Sequence, residues 1–381
     1  MRKRIGIVTW YGASPRGFNF GTCLQSFALE KVLRDWGYDA RMISFRGIQE
    51  QGAARKLLAT FGVLEPLRRL KSLVRTGRFG KSKYESRLRK WNRKHYREFS
   101  ARAWRGLDSL ADNIDCFISG SDQIWNTYHH FDSRMFLDFA GKSKRIAYAS
   151  SIGTEDVNPA FAEQVRSLLL DYRGIALRES AGVRALTRLT GRQDIKKVLD
   201  PSLLLTAQDW VSFGNEENLH LRIPSGYILC YLLSGNPQYV DQVREVSRAL
   251  GKKSIVIVPS FENPEFSLDG ATRFEQATPC EFVRLIGGAD VVLTDSFHAT
   301  ALSICLDRPF VEFMRFREGD VKSQNSRIYE LLERYGLTSR IFHEKEKHWI
   351  APTDRSLVRK RLKADRAESL AVLKAMISEE P

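Results

Sequence analysis

The chain has 381 residues, 43% hydrophobic and 28% charged, with 60 Lys and Arg against 45 Asp and Glu and a net charge of +15. That composition excludes a disordered chain, and the length exceeds one ordinary core, so two α/β domains are expected. No apolar run is long enough to span a bilayer, and the five cysteines are scattered without a CxxC pair, which speaks against zinc or a disulfide framework and for a reducing cytoplasm.

In chain order, apolar runs alternate in a way that predicts βα repeats around parallel sheets. The run at 5–10 follows Met1-Arg2-Lys3-Arg4, is too short for a signal-peptide core, and reads as a first strand. A Gly- and polar-rich loop leads through Gly21 into a helix over 22–36, with Leu24, Phe27, Ala28 and Leu33 on one face and Gly37 at its end. A strand at 41–45 precedes a basic helical insertion at about 53–111. Strands at 116–119, 145–150, 175–177 and 198–199, with a helix at 159–171, complete the first half. Residues 206–225 read as a linker. The second half alternates strands at 227–233, 254–258, 291–294 and 309–313 with helices at 237–250, 279–287, 299–306 and 327–335, and 354–377 forms one or two amphipathic helices. The expected architecture is two Rossmann-like domains facing across a cleft, 1–215 and 216–345, with a helical tail at 346–381. Ligands in such folds sit beyond the carboxyl ends of strands, where the polar turns of this chain fall.

The turn Thr294-Asp295-Ser296-Phe297-His298-Ala299-Thr300 joins a strand to a helix, whose free N–H groups and dipole attract anions. His298 can move a proton there, although the same residues also suit a plain junction with a polar cap. Asn19, Gly21 and Thr22 lie at the first βα turn, where backbone can approach a ligand. Ser121, Asp122, Gln123 and Asn126 form a polar loop suited to sugar hydroxyls; Asp122 is a candidate base and equally a turn-forming residue. Trp125 fits either a sugar-stacking role or the core. Arg178 offers paired planar donors to a carboxylate or phosphate, or else pairs with Glu179 or another cleft acid. His129 and His130 follow the polar loop without accompanying ligands, so no metal is expected.

Arg68, Arg69, Lys71, Arg75, Arg78, Lys81, Lys83, Arg87, Arg89, Lys90, Arg93, Lys94 and Arg97 are interleaved with Leu57, Leu58, Phe61, Leu64, Leu67, Leu70, Leu73 and Val74. This pattern fits a solvated helical hairpin packed on its own domain, or a basic amphipathic helix on an anionic membrane surface. No nucleic-acid module accompanies the charge, and nucleic acid is not an expected partner.

Taken together, the motifs resemble the polysaccharide pyruvyl transferase family. The resemblance rests on Asn19-Phe20-Gly21-Thr22, Gly120-Ser121-Asp122-Gln123-Ile124-Trp125-Asn126, Tyr148-Ala149-Ser150-Ser151-Ile152-Gly153, Arg178-Glu179-Ser180, Val198-Leu199-Asp200-Pro201, Thr294-Asp295-Ser296-Phe297-His298 and Asn325-Ser326-Arg327-Ile328, in that order. It implies a fold similar to the two-domain GT-B type. It implies transfer of the enolpyruvyl group of phosphoenolpyruvate onto two hydroxyls of a sugar in a capsule, exopolysaccharide or other cell-surface polymer, often on a polyprenyl carrier, with no further cofactor. The second half would then hold phosphoenolpyruvate and the first half the acceptor, in the cytoplasm and peripheral on the inner membrane. His298 matches the family histidine of the phosphoenolpyruvate site, and Arg178 a family arginine on the same ligand. Better-characterised branches carry an Arg two residues before the histidine, where this chain has Ser296. Arg327 is the preferred substitute, with Arg315, Lys322 and the backbone N–H groups of Phe297 and His298 as further sources; Asn325 completes that site. Two rivals remain: a GT-B glycosyltransferase with a nucleotide-sugar donor, against which no acid of the second half is placed for a ribose, and a non-enzymatic basic protein of membrane surfaces.

Overall fold

The apolar runs become strands of two separate sheets, each wholly parallel. In the computed structural model, the structure describes residues 2–14, 17–45, 79–100, 106–316, 324–344, 347–351 and 353–378. The first sheet contains β1 (Arg4–Val8), β2 (Asp39–Ser44), β3 (Glu98–Ser100), β4 (Cys116–Ser119), β5 (Arg145–Ser150), β6 (Gly174–Leu177) and β7 (Lys196–Lys197), ordered β3-β2-β1-β4-β5-β6-β7. The second contains β8 (Ile228–Tyr231), β9 (Ile255–Ile257), β10 (Thr272–Arg273), β11 (Val291–Thr294) and β12 (Phe310–Glu312), ordered β10-β9-β8-β11-β12. Strands β4, β5, β6 and β8 are buried at every position, as expected of parallel strands covered by helices on both faces. The fold is therefore α/β with two Rossmann-like domains.

The helices that matter for the cleft are α1 (Phe20–Asp35), α2 (Phe79–His95), α3 (Ser180–Thr190), α4 (Pro279–Gly288), α5 (Phe297–Cys305), α6 (Asn325–Tyr335) and α7 (Arg355–Ser378). Several tie the halves together. Phe20 of α1 stacks on Phe282 of α4 with centroids 4.2 Å apart, and Glu330 of α6 accepts from the Ser180 backbone N–H at 3.1 Å and pairs with Lys197. The chain end is one continuous helix, α7, which returns to the first sheet: Lys3 Nζ donates to the Ile377 carbonyl at 2.6 Å, and the Leu199 N–H to Ser369 Oγ at 2.9 Å.

The differences from expectation have local causes. β3 and β10 lie at sheet edges, where few residues pair and no apolar run is needed. The last strand of the first sheet is Lys196–Lys197, not 198–199, for the same reason. Within the expected linker, Thr206 and Asp209 form a capping box that starts a helix, Ala207–Gly214, whose Trp210 and Phe213 are buried against Phe27. Of the basic insertion, α2 and the strand after it are described; Arg68 to Arg78, their interleaved leucines, and Lys322 lie outside the described residues. No helix among the described residues is long and apolar enough to cross a membrane.

Candidate active site between the two sheets

Each sheet has a point where connections leave its central strand in opposite directions. In the first it lies between β1 and β4, and in the second between β8 and β11. Such points open crevices at the carboxyl ends of strands, and here the two crevices face one another. The cleft between them spans about 630 Å³, part of it open to solvent, and is lined by Asn19, Asp122 and Gln123 from the first half, and by Asp295, Ser296, Phe297, His298, Glu312, Arg315, Asn325 and Arg327 from the second.

His298 occupies the first turn of α5, which starts two residues earlier than its apolar pattern suggests. Its Nε2 stands 3.7 Å from Asp200 Oδ2 and has no hydrogen-bond partner among the described residues. Its ring lies against Gly21, where an added Cβ would come within 2.1 Å of Nδ1. Asp200, just past β7, therefore faces a histidine from the other half of the molecule. That carboxylate also accepts from Arg178 Nη1 at 2.7 Å, from Ser121 Oγ at 2.8 Å and, on its other oxygen, from the Ser202 N–H at 2.9 Å. Burial pushes the Asp200 carboxyl up, but His298, Arg178 and Ser202 outweigh it and hold the group well below the usual carboxylate range.

Asp122 sits in the left-handed region, with φ 74°, which Asp tolerates better than most residues. Its Oδ2 accepts from Thr22 Oγ1 at 2.8 Å and its Oδ1 from the Gln123 N–H at 2.9 Å, with Arg178 Nη2 3.6 Å away. Burial raises its pKa, while Arg178, His298 and these two donors lower it further, so the carboxylate stays ionised. Asp122 thus shapes its turn and also presents a carboxylate to the cleft.

The two arginines differ. Arg178 is wholly buried behind Phe297, bonded to Asp200 and flanked by Asp122 and by Glu179 at 3.7 Å, so its charge is already compensated by cleft acids. Arg327 is half-buried, lies 5.9 Å from the centroid of the same Phe297 ring, and among the described residues bonds Gln324 Oε1, at 2.6 Å. Among the described residues its Nε has no partner and no carboxylate pairs with it. Burial, and next the nearby Arg178, pull its pKa down to about 10, which leaves it charged at neutral pH. Arg315, the other described substitute, is paired with Glu262.

Ser296 is the N-cap of α5 but makes no side-chain cap, so the first N–H groups of that helix have no side-chain acceptor from it. Asn19 caps α1 by accepting from the Gly21 N–H at 2.8 Å, and Gln123 Nε2 reaches across the cleft to Gln324 Oε1 at 2.9 Å. Three expected ligand-binding residues also shape loops: Ser121 is fully buried on Asp200, Asn126 bonds Gln123 Oε1 at 3.0 Å and the Tyr128 N–H at 3.1 Å, and Asn325, which also lines the cleft, bonds the Phe316 carbonyl at 2.7 Å. Trp125 belongs to the core, stacked on Phe136 with centroids 5.0 Å apart. His129 and His130 are exposed, and no group of metal-ligating side chains forms among the described residues.

Sequence reasoning missed two acids. Asp200 was visible as a polar residue after a strand, but not as the partner of His298. Glu312 ends β12, fully buried and lining the cleft, and was hidden inside an apolar strand pattern.

Fold and site together define a two-domain α/β protein with an interdomain cleft carrying histidine, arginine and carboxylates. The sequence model of the polysaccharide pyruvyl transferase family matches residues 19–313, and the chain belongs to that family. No curated protein matches the chain. Among solved structures, the chain is similar to a UDP-GlcNAc 2-epimerase from Neisseria meningitidis bound to UDP-GlcNAc (TM-score 0.46, 11% identity, covering 97% of this chain and 99% of that one). It is also similar to a putative UDP-N-acetylglucosamine 2-epimerase from Listeria monocytogenes (TM-score 0.48, 13% identity, 97% of each chain) and to the ADP-heptose lps heptosyltransferase II of E. coli (TM-score 0.34, 11% identity, 96% and 99%).

Proposed function

We propose that this polysaccharide pyruvyltransferase takes the enolpyruvyl group from phosphoenolpyruvate and sets it on two hydroxyls of a sugar in a cell-surface polysaccharide or its lipid-linked precursor, forming a cyclic pyruvate ketal and phosphate. The observation that carries the reading is Arg327. A half-buried guanidinium whose Nε is cut off from solvent and lacks a counter-ion is costly, and a ligand that brings negative charge relieves that cost. The ligand would meet Arg327 and the uncapped start of α5 from the same side of the cleft, which suits a phosphate with a carboxylate beside it. Arg327 thus takes the place of the family arginine that Ser296 lacks.

In this reading His298 gives a proton to C3 of the enol, which builds positive charge at C2 for a sugar hydroxyl to attack. Asp200 holds the imidazole and supplies the counter-charge for its protonated form. Asn19, Asp122 and Gln123 face the ligand from the first half as acceptors and donors for sugar hydroxyls. The exposed Lys83, Lys90 and Arg93 of α2 offer a basic face toward an anionic membrane, where a lipid-linked acceptor would be met.

A thermal-shift panel tests the donor. Phosphoenolpyruvate is expected to raise Tm of the parent protein, to do so much less for Arg327→Ala, and to leave nucleotide sugars without effect. A parent stabilised by nucleotide sugars and not by phosphoenolpyruvate would overturn the assignment.

A further inference from the structure

The proposed reaction needs more proton carriers than one histidine supplies. C3 gains a proton as a methyl group forms. Two acceptor O–H bonds break as two C2–O bonds form, and the C2–O bond to phosphate breaks with its electron pair leaving on the phosphate. That phosphate departs as hydrogenphosphate, so the two protons released by the hydroxyls balance the one on carbon and the one on phosphate. There are thus two donations and two acceptances, with no oxidant or reductant. His298 can serve one pair. Asp122 and Asp200 are held ionised by their cationic neighbours and have no proton to give.

Glu312 is built differently. It ends β12 opposite Thr294 of β11, is fully buried, and lines the cleft on the side of α5 and Arg327. No cation pairs with it among the described residues, and its Oε1 has no partner. Its Oε2 is bonded to Thr300 Oγ1, which also lies 3.1 Å from the Ser296 carbonyl. A hydroxyl has a single proton to donate. Thr300 donates it to Glu312 Oε2, and an ionised carboxylate buried with that one donor and no cation among the described residues is costly, so the group is better accommodated with its proton on. The surrounding groups agree with a neutral acid: Asp295 faces it with a carboxylate already bonded to the Leu233 and Ser234 N–H groups and to Tyr239, and Arg315 is engaged by Glu262. Burial is the main cause that keeps the proton on, with Asp295 adding to it and Thr300 opposing. An ionised carboxylate beside a phosphate would repel it, whereas a neutral one can hydrogen-bond to it.

We propose that Glu312 is a second catalytic acid of the cleft, which protonates the departing phosphate and then takes the proton of the second sugar hydroxyl; the inference rests on the reaction proposed above. The test follows phosphate release and ketal formation in the parent and in Glu312→Gln from pH 6 to 10, with phosphoenolpyruvate binding followed by thermal shift. Losing an acid of this kind is expected to lower kcat by about 10²–10⁴-fold. Phosphoenolpyruvate binding should stay within about twofold, and the alkaline slope of log kcat should fall from about −2 toward about −1, because one of two required protons no longer matters. Thr300→Val, which keeps the carboxyl and removes its partner, should displace that alkaline limb, and it carries the test if the Gln variant does not fold. Parent protein that neither binds phosphoenolpyruvate nor releases phosphate overturns the reaction, and this role with it. A working parent matched by Glu312→Gln in kcat and pH profile overturns the role of Glu312 alone, as does loss of phosphoenolpyruvate binding in step with activity.

Discussion

Gly21 is held to its identity by a neighbour, not by its own backbone. An alanine there would put Cβ 2.1 Å from Nδ1 and 2.4 Å from Cγ of His298, and the imidazole would have to move. A displacement of about 1 Å in a reacting group can cost on the order of 100-fold in rate. Gly21→Ala is therefore expected to reduce kcat by about that factor while phosphoenolpyruvate binding and Tm change little; a variant as active as the parent would remove His298 from the chemistry. This contact also shows where sequence reading stops. Gly21 and His298 were each legible, one as a glycine at a βα turn and the other as a histidine before a helix. That they touch was not, because the residues between them belong to two different sheets. Asp200 and Glu312 went unassigned for a related reason: an acid beside an apolar run looks the same whether it faces a loop donor or a cleft.

Helix α2 carries two faces with different work. Its basic character suggested a surface helix, yet one face joins the two halves of the molecule. Arg87 Nη2 pairs with Glu281 Oε2 of α4 at 2.7 Å, Tyr84 donates to the Ala277 carbonyl at 3.1 Å, and Trp91 Nε1 to Cys280 Sγ at 3.2 Å. Asn92 bonds Ala13 through both its oxygen and its nitrogen, at 2.8 and 2.7 Å, and so fixes the loop that follows β1. The opposite face keeps Lys83, Lys90 and Arg93 exposed. The two faces should separate by mutation. Arg87→Ala strands a fully buried Glu281 carboxylate, which keeps only the Thr278 and His220 contacts, and is expected to cost about 1–3 kcal/mol in denaturant unfolding without altering vesicle binding. Charge reversal at Lys83, Lys90 and Arg93 should leave stability nearly unchanged and weaken sedimentation with anionic phospholipid vesicles at low salt. Unchanged sedimentation would confine α2 to its bridging role. The strands were legible where burial on both faces demanded an unbroken apolar run, and illegible at the edges, where β3 and β10 need only a few backbone hydrogen bonds.

At the scale of the whole molecule, the proposed donor groups and their supports come from different halves. Arg327, Glu312, His298 and the start of α5 all belong to the second half, while Asp200, Arg178 and Asp122 belong to the first. Phosphoenolpyruvate could then bind to one half, but the pairing of His298 with Asp200 needs both in register. That register is held inside the cleft by the Gln123–Gln324 contact at 2.9 Å, and away from the chemistry by Glu330 of α6, which accepts from the Ser180 N–H at 3.1 Å and pairs with Ser180 Oγ and Lys197. Burial raises the Glu330 pKa, but Lys197 and Ser180 outweigh it, so the carboxylate is ionised and the latch is charged at neutral pH. Glu330→Ala removes every bond of that latch and touches no group proposed to meet the donor. The expected result is a drop in kcat, a larger radius of gyration by small-angle X-ray scattering, and phosphoenolpyruvate affinity within about twofold of the parent, since affinity shifts only as far as a ligand distinguishes the two states. A parallel loss of affinity and kcat would mean that the first half also binds the donor, with Arg178 as the residue to test next.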